Sequence, residues 1–230
     1  MKLRFLCLAV VVAFSALAFV SFDMGDGNAR GKAFAAKFAD GKLTAEESTG
    51  SYEMDAKHSY IGFRVTHLGL AEVPGSFRDF TGTIIYDGKD VSKSSVNFTA
   101  KVTSVDTGVD GRDNHLRTAD FFEVEKYPDM TFKSTKVEKK GGIWNVTGDF
   151  TLKGVTKQIT IPFTVNGMMK DAKGNVKMGI SAQTTINRED YGVKWDKKLP
   201  DGTLMLSDTV KIDLQLEAGM QNKQAEKPKE

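Results

Sequence analysis

Apolar and polar residues alternate with period two through most of the stretch from residue 51 to residue 218. Ile61, Phe63 and Val65 alternate with Gly62, Arg64 and Thr66, and Val96, Phe98, Ala100 and Val102 alternate with Asn97, Thr99 and Lys101. Trp144, Val146, Phe150 and Leu152 share one parity, with Gly148 between them. The pattern recurs at Ile159, Ile161, Phe163 and Val165, at Met178, Ile180, Ala182 and Ile186, and at Val210, Ile212, Leu214 and Leu216. Such alternation predicts strands with one dry face and one wet face. Weaker strands are predicted near 77–87 and 129–138. Glycine-bearing breaks at Gly141-Gly142, Gly154 and Gly174-Asn175 supply the positive φ that tight hairpins need. About eight strands joined by short turns predict an all-β antiparallel meander, closed into a barrel to remove its edges, with the apolar face inside. A barrel of this size fills its interior with side chains or holds one small ligand. The period does not choose between them.

Residues 106–128 break the pattern. Leu116, Ala119 and Phe122 recur at helical spacing, which predicts one or two short helices ended by Tyr127-Pro128. A helical insert over a barrel mouth serves as a lid or as a plug that completes the core.

The N-terminus reads differently again. Lys2 and Arg4 precede an apolar run over residues 5–20, broken only by Ser15, with small residues at Ala16 and Ala18. These features predict a secretory signal over 1–18, cleaved after Ala18, and hence a periplasmic or secreted protein. The alternative is an uncleaved anchor, although the run is shorter than the ~20 residues of a spanning helix. Residues 19–50 are glycine-rich without strand pattern and read as a flexible tether; 51–218 form the barrel, and the polar residues 219–230 form a disordered tail.

Composition narrows the function classes. Hydrophobic residues are 40% and charged residues 27%, which fits a globular core. Lys+Arg number 32 against Asp+Glu 30, and that near balance gives no footprint for nucleic acid. The single Cys, Cys7, lies in the predicted signal, so neither a disulfide framework nor a Cys-based zinc site is expected. Three His residues, His58, His67 and His115, lack metal-ligand spacing, and no metal is expected. Arg112, Asp113, His115 and Arg117 cluster at the start of the insert. Asp113 and His115 could serve acid–base chemistry, or Asp113 could cap the helix while Arg112 pairs locally. No nucleophile elbow and no phosphate-binding glycine loop is present. The aromatic supply remains: Phe63, Phe77, Phe98, Phe121, Phe122, Phe132, Trp144, Phe150 and Phe163. With inward Val65, Val102 and Ile180 they make a solid core, or line an apolar cavity suited to a long hydrocarbon chain.

Several stretches resemble the YceI-like family. They are residues 52–59, residues 63–69, Gly75-Ser76-Phe77 and Phe80-Thr81-Gly82. The most specific is Asp106-Thr107 followed by residues 112–117, Asp120-Phe121-Phe122 and Tyr127-Pro128; residues 148–157 and 188–192 follow in order. The resemblance implies an extended eight-stranded antiparallel lipocalin-like barrel with a short helical insert. It implies a polyisoprenoid or similar amphiphilic lipid, such as an isoprenoid quinone, held inside for carriage, storage or protection. The ligand-binding candidates are then the twelve apolar and aromatic residues above with His58, His67, Arg112, Asp113 and His115, and none is assigned as catalytic. No cofactor is implied beyond the lipid. The tether, if the signal stays uncleaved, would keep the barrel near a membrane. The alternatives are an enzyme acting on a lipid-like substrate through Asp113 and His115, or a structural envelope protein with a filled barrel.

Overall fold

The structure, a computed structural model, describes residues 43–221. The predicted signal, most of the tether and most of the tail lie outside the described residues. The alternating stretches become eleven strand segments in one antiparallel sheet. In chain order they are β1 (Gly50–Met54), β2 (Tyr60–His67), β3 (Ala71–Phe77), β4 (Phe80–Tyr86), β5 (Ser95–Lys101) and β6 (Val105–Asp106). After an insert come β7 (Asp129–Lys140), β8 (Ile143–Leu152), β9 (Val155–Lys170), β10 (Val176–Asn187) and β11 (Leu206–Met220).

Eleven segments make eight staves because three staves are bent. β1 pairs with β4 while β2 pairs with β3, so residues 55–59 interrupt one stave and Arg78-Asp79 the next. β5 pairs with β4 and β6 with β3, and the 3-10 turn Val102–Ser104 breaks the third. β11 then pairs with β10 on one side and with β1 and β2 on the other, which closes the barrel. Closure leaves no full-length edge exposed.

Directly opposed residues on neighbouring strands share a face, so inward positions meet in rows. Phe98, Phe132 and Phe150 form one such row across β5, β7 and β8. Leu214, Ile61 and Phe77 form another across β11, β2 and β3. Gly148 interrupts the inward parity of β8 for a local reason: a Cβ there would lie 2.6 Å from the Phe132 ring and 2.5 Å from the Lys133 carbonyl oxygen.

One end of the barrel is packed solid. Tyr52, Met178 and Ala218 are fully buried there, with Leu43 and Met220 against them. A four-residue helix, α1 (Ala45–Ser48), seats this end through a capping box of Thr44 and Glu47. The Tyr52 hydroxyl donates to the Ser48 carbonyl at 2.6 Å, and burial pushes its pKa up to about 12. The end of the stretch read as a tether is therefore folded, and β11 extends to Met220 within the stretch read as a tail.

At the opposite end stands the insert. It holds one helix, α2 (Asp110–Arg117), whose last turn is closed by the Thr118 N–H bonding the His115 carbonyl. The helix stops before Ala119, which is exposed, so the predicted run through Phe122 is corrected: Phe121 and Phe122 reach inward from turns. A second excursion, residues 192–205, carries one isolated bridge, Lys198 to Leu204. Buried Arg188 ties down both of its ends, donating to the Val193 carbonyl at 2.7 Å, the Ser207 carbonyl at 3.1 Å and the Asp208 carboxylate at 2.7 Å.

Candidate functional site

The barrel is not filled. A cavity of about 450 Å³ occupies its interior, inside the size range of small-molecule sites. Its wall is apolar along most of its length because the inward parity of every long strand is aliphatic or aromatic. Toward the α1 end it reaches Met54, Ile84 and Tyr86, with Ser94 and Ser95 beside them. Toward the α2 end it reaches His67, Thr107, Arg112, His115 and Trp195.

Thirteen of the residues singled out from sequence stand on this wall. The strands bring in Phe63, Val65, Phe77, Phe98, Phe132, Phe150, Phe163 and Ile180. The turns after α2 bring in Phe121 and Phe122, and the α2 end brings in His67, Arg112 and His115. Four others are not brought to it. Val102 is buried in the 3-10 turn where its stave bends, its N–H bonded to the Pro128 carbonyl, so it packs solid core. Trp144 has the inward parity of Phe163 opposite it, but it is the second residue of β8, beyond the cavity, with the Lys139 ammonium 5.7 Å from its ring. His58 sits in the break between β1 and β2 with its side chain 64% exposed, and its Nδ1 lies 2.8 Å from the Asp55 carboxylate. That hydrogen bond raises the His58 pKa. Asp113 is buried behind the wall, accepting the Thr107 N–H at 2.9 Å and the Thr107 hydroxyl.

Those last contacts bear on chemistry. Asp113 holds Thr107, while His115 Nε2 lies 2.8 Å from the Asp120 carboxylate. Residues two apart on a helix do not face each other, and this acid–base pair is not assembled. Arg112 pairs locally, donating from Nε to the Thr107 hydroxyl at 2.7 Å and from Nη2 to the Thr107 carbonyl at 2.9 Å. The arrangement positions hydrogen-bond donors beside an apolar cavity.

Other wall residues were not singled out from sequence. Ile159, Ile161, Val165, Ile212, Leu214 and Leu216 lie on the apolar face that the alternation predicts, outside the ligand-binding candidates. Trp195 follows no pattern. Its ring stacks on Phe121 with centroids 5.5 Å apart, and the His115 ring meets Phe121 edge-on at 5.1 Å. Beside it, Glu189 is held above the usual carboxylate range, first by a hydrogen bond with Asp196 and then by desolvation and the nearby acidic charges.

The YceI-like domain family matches residues 52–218. Protein YceI of Escherichia coli O6:H1 strain CFT073 is 41% identical over 144 residues, covering 63% of this chain and 75% of that protein. The crystal structure of the Campylobacter jejuni YCEI protein superposes with a TM-score of 0.60 at 33% identity, over 68% of this chain and 90% of that one. A polyisoprenoid binding domain from Saccharophagus degradans, implicated in plant cell wall breakdown, superposes with a TM-score of 0.59 at 18% identity, over 76% of this chain and all of that one.

Proposed function

We propose that this chain, which belongs to the YceI-like family, binds a polyisoprenoid or similar long-chain amphiphilic lipid inside its barrel. The observation that carries this reading is the long apolar cavity itself. Each buried CH₂ contributes ~0.8 kcal/mol, so a hydrocarbon tail binds there without specific polar contacts. A structural protein with a filled barrel would have no use for such space. The Saccharophagus degradans domain, a polyisoprenoid binder of the same fold, supports the choice of lipid. The separation of Asp113 from His115 supports binding without turnover. The setting proposed is the cell envelope, periplasmic or secreted, where the protein would carry, store or protect the lipid; this rests on the basic and apolar N-terminus. The lipid is the only non-protein group the reading requires.

The test is organic extraction and native mass spectrometry of the protein purified from its own host. A co-purified long-chain isoprenoid lipid is expected. A clean apo mass, together with no uptake of ubiquinone or polyprenols in vitro, would overturn the proposal.

A further inference from the structure

Trp195 differs from every other residue on the cavity wall. Its Nε1 is buried without a hydrogen-bond partner, the one such side-chain atom among the described residues. An indole N–H donates and cannot accept, so only an acceptor can satisfy it. No protein group near it supplies one. A buried polar group left unpaired is a standing cost to the empty protein, and a ligand that brings an acceptor removes it.

The surroundings limit what that acceptor can be. Trp195 lies against Phe121 at 5.5 Å and His115 at 6.3 Å, at the end of the cavity where the polar wall residues gather. An anion brought to this point would lose its hydration among apolar rings and meet the carboxylates of Asp196 and Glu189; of the cations at this end, Arg112 already bonds Thr107, Arg188 already bonds the Val193 carbonyl and Asp208, and the Lys197 ammonium lies over the face of the Trp195 ring, 5.4 Å from its centroid. A neutral oxygen loses far less.

We infer that Trp195 Nε1–H is the donor that anchors an uncharged oxygen, carbonyl or hydroxyl, on the head of the bound lipid, with the tail directed toward Met54 and Ile84. This rests on the lipid-binding reading above and adds the polarity of the ligand and its direction in the barrel. Nε1 is covered in the empty protein, so the inference requires the indole to turn toward the cavity as the head enters.

Two probes separate head from tail: ubiquinone, with ring carbonyls on an isoprenoid tail, and squalene, an isoprenoid hydrocarbon without oxygen. Trp195→Phe keeps an aromatic ring against Phe121 and removes the donor. The variant is expected to bind ubiquinone about three- to tenfold more weakly, the range set by one net hydrogen bond, and squalene within twofold of the parent. Independently, the chain has two Trp residues, so the indole N–H resonance of Trp195 is easily assigned. It should shift downfield on adding ubiquinone and stay in place on adding squalene. Equal weakening of both probes would reduce Trp195 to a piece of wall and overturn the inference, as would ubiquinone binding that leaves both affinity and resonance unchanged. In either case lipid binding itself would stand. If the parent takes up neither probe, the lipid reading fails first. Should Trp195→Phe not fold, the resonance in the parent protein decides.

Discussion

Two aromatic residues with a single polar atom mark the two ends of this barrel, and their fates differ. Tyr52 is completely buried at the α1 end, and its hydroxyl donates to the Ser48 carbonyl at 2.6 Å. Trp195 sits at the α2 end, and its Nε1–H is buried with nothing to receive it. The first end uses its polar atom to fasten a capped helix over packed Met178 and Ala218. The second leaves its donor free where the cavity meets Thr107, Arg112 and His115. The Tyr52 bond fastens the packed end, whereas the Trp195 donor is, on the inference above, reserved for a ligand.

The largest expected effect comes from breaking the packed end. Tyr52→Ala removes a buried ring and its hydrogen bond and should cost about 3–5 kcal/mol. For a domain of this size that lowers Tm by roughly 10 °C. Lipid uptake at a temperature where the variant is folded should change little. A loss below about 1 kcal/mol by urea denaturation would mean that the α1 end is not the stabilising one.

A gentler pair sharpens the contrast. Tyr52→Phe deletes a satisfied bond and should cost about 1 kcal/mol. Trp195→Phe deletes an unsatisfied donor whose burial costs about 1–3 kcal/mol, against some lost ring contact. Its net effect on the empty protein should lie within about 1 kcal/mol of zero. Parallel denaturant titrations of both variants check this; equal destabilisation would show that the two polar atoms do the same job.

Much of this was legible from alternation, and the failures have a common physical cause. Period two encodes which face of a sheet a residue occupies, so the wall residues on long strands, from Phe63 to Phe163, could be read directly. It does not encode height along a stave. Trp144 therefore has the right parity and the wrong position, beyond the cavity under Lys139. Nor does it reveal where a stave bends. The inward series ending at Val102 stops because the strand ends at Lys101 and a 3-10 turn takes over. His58 falls in a similar break, where Ser59 takes a place in the ladder, its hydroxyl accepting the Glu217 N–H. Asp113 and His115 are close in sequence and apart in contact because a helix turns them to different partners. Trp195 lies outside any strand, in an excursion that Arg188 anchors at both ends and where its ring meets Phe121 and His115. A motif over residues 188–192 signalled the anchor without the ring it positions.

The smallest expected effect concerns pH and also separates the ends. Glu189 is held above its ordinary carboxylate range, chiefly by its hydrogen bond with Asp196, the residue next to Trp195. The folded protein therefore keeps a proton that the unfolded chain releases near 4.5. The stability this contributes is complete below that value and is lost as pH rises through the raised pKa. Glu189→Gln keeps the site uncharged at every pH. Its Tm relative to the parent should rise as pH moves from 4.5 toward neutrality. Over the same range the Tyr52 hydroxyl, with its pKa near 12, stays protonated, so the gap between Tyr52→Phe and the parent should stay flat. Thermal melts of the three proteins across that range test both slopes. A Glu189→Gln advantage that shrinks with rising pH would mean that Arg188 outweighs Asp196 at that carboxyl, and the acidic cluster would then be fastening the α2 end at neutral pH.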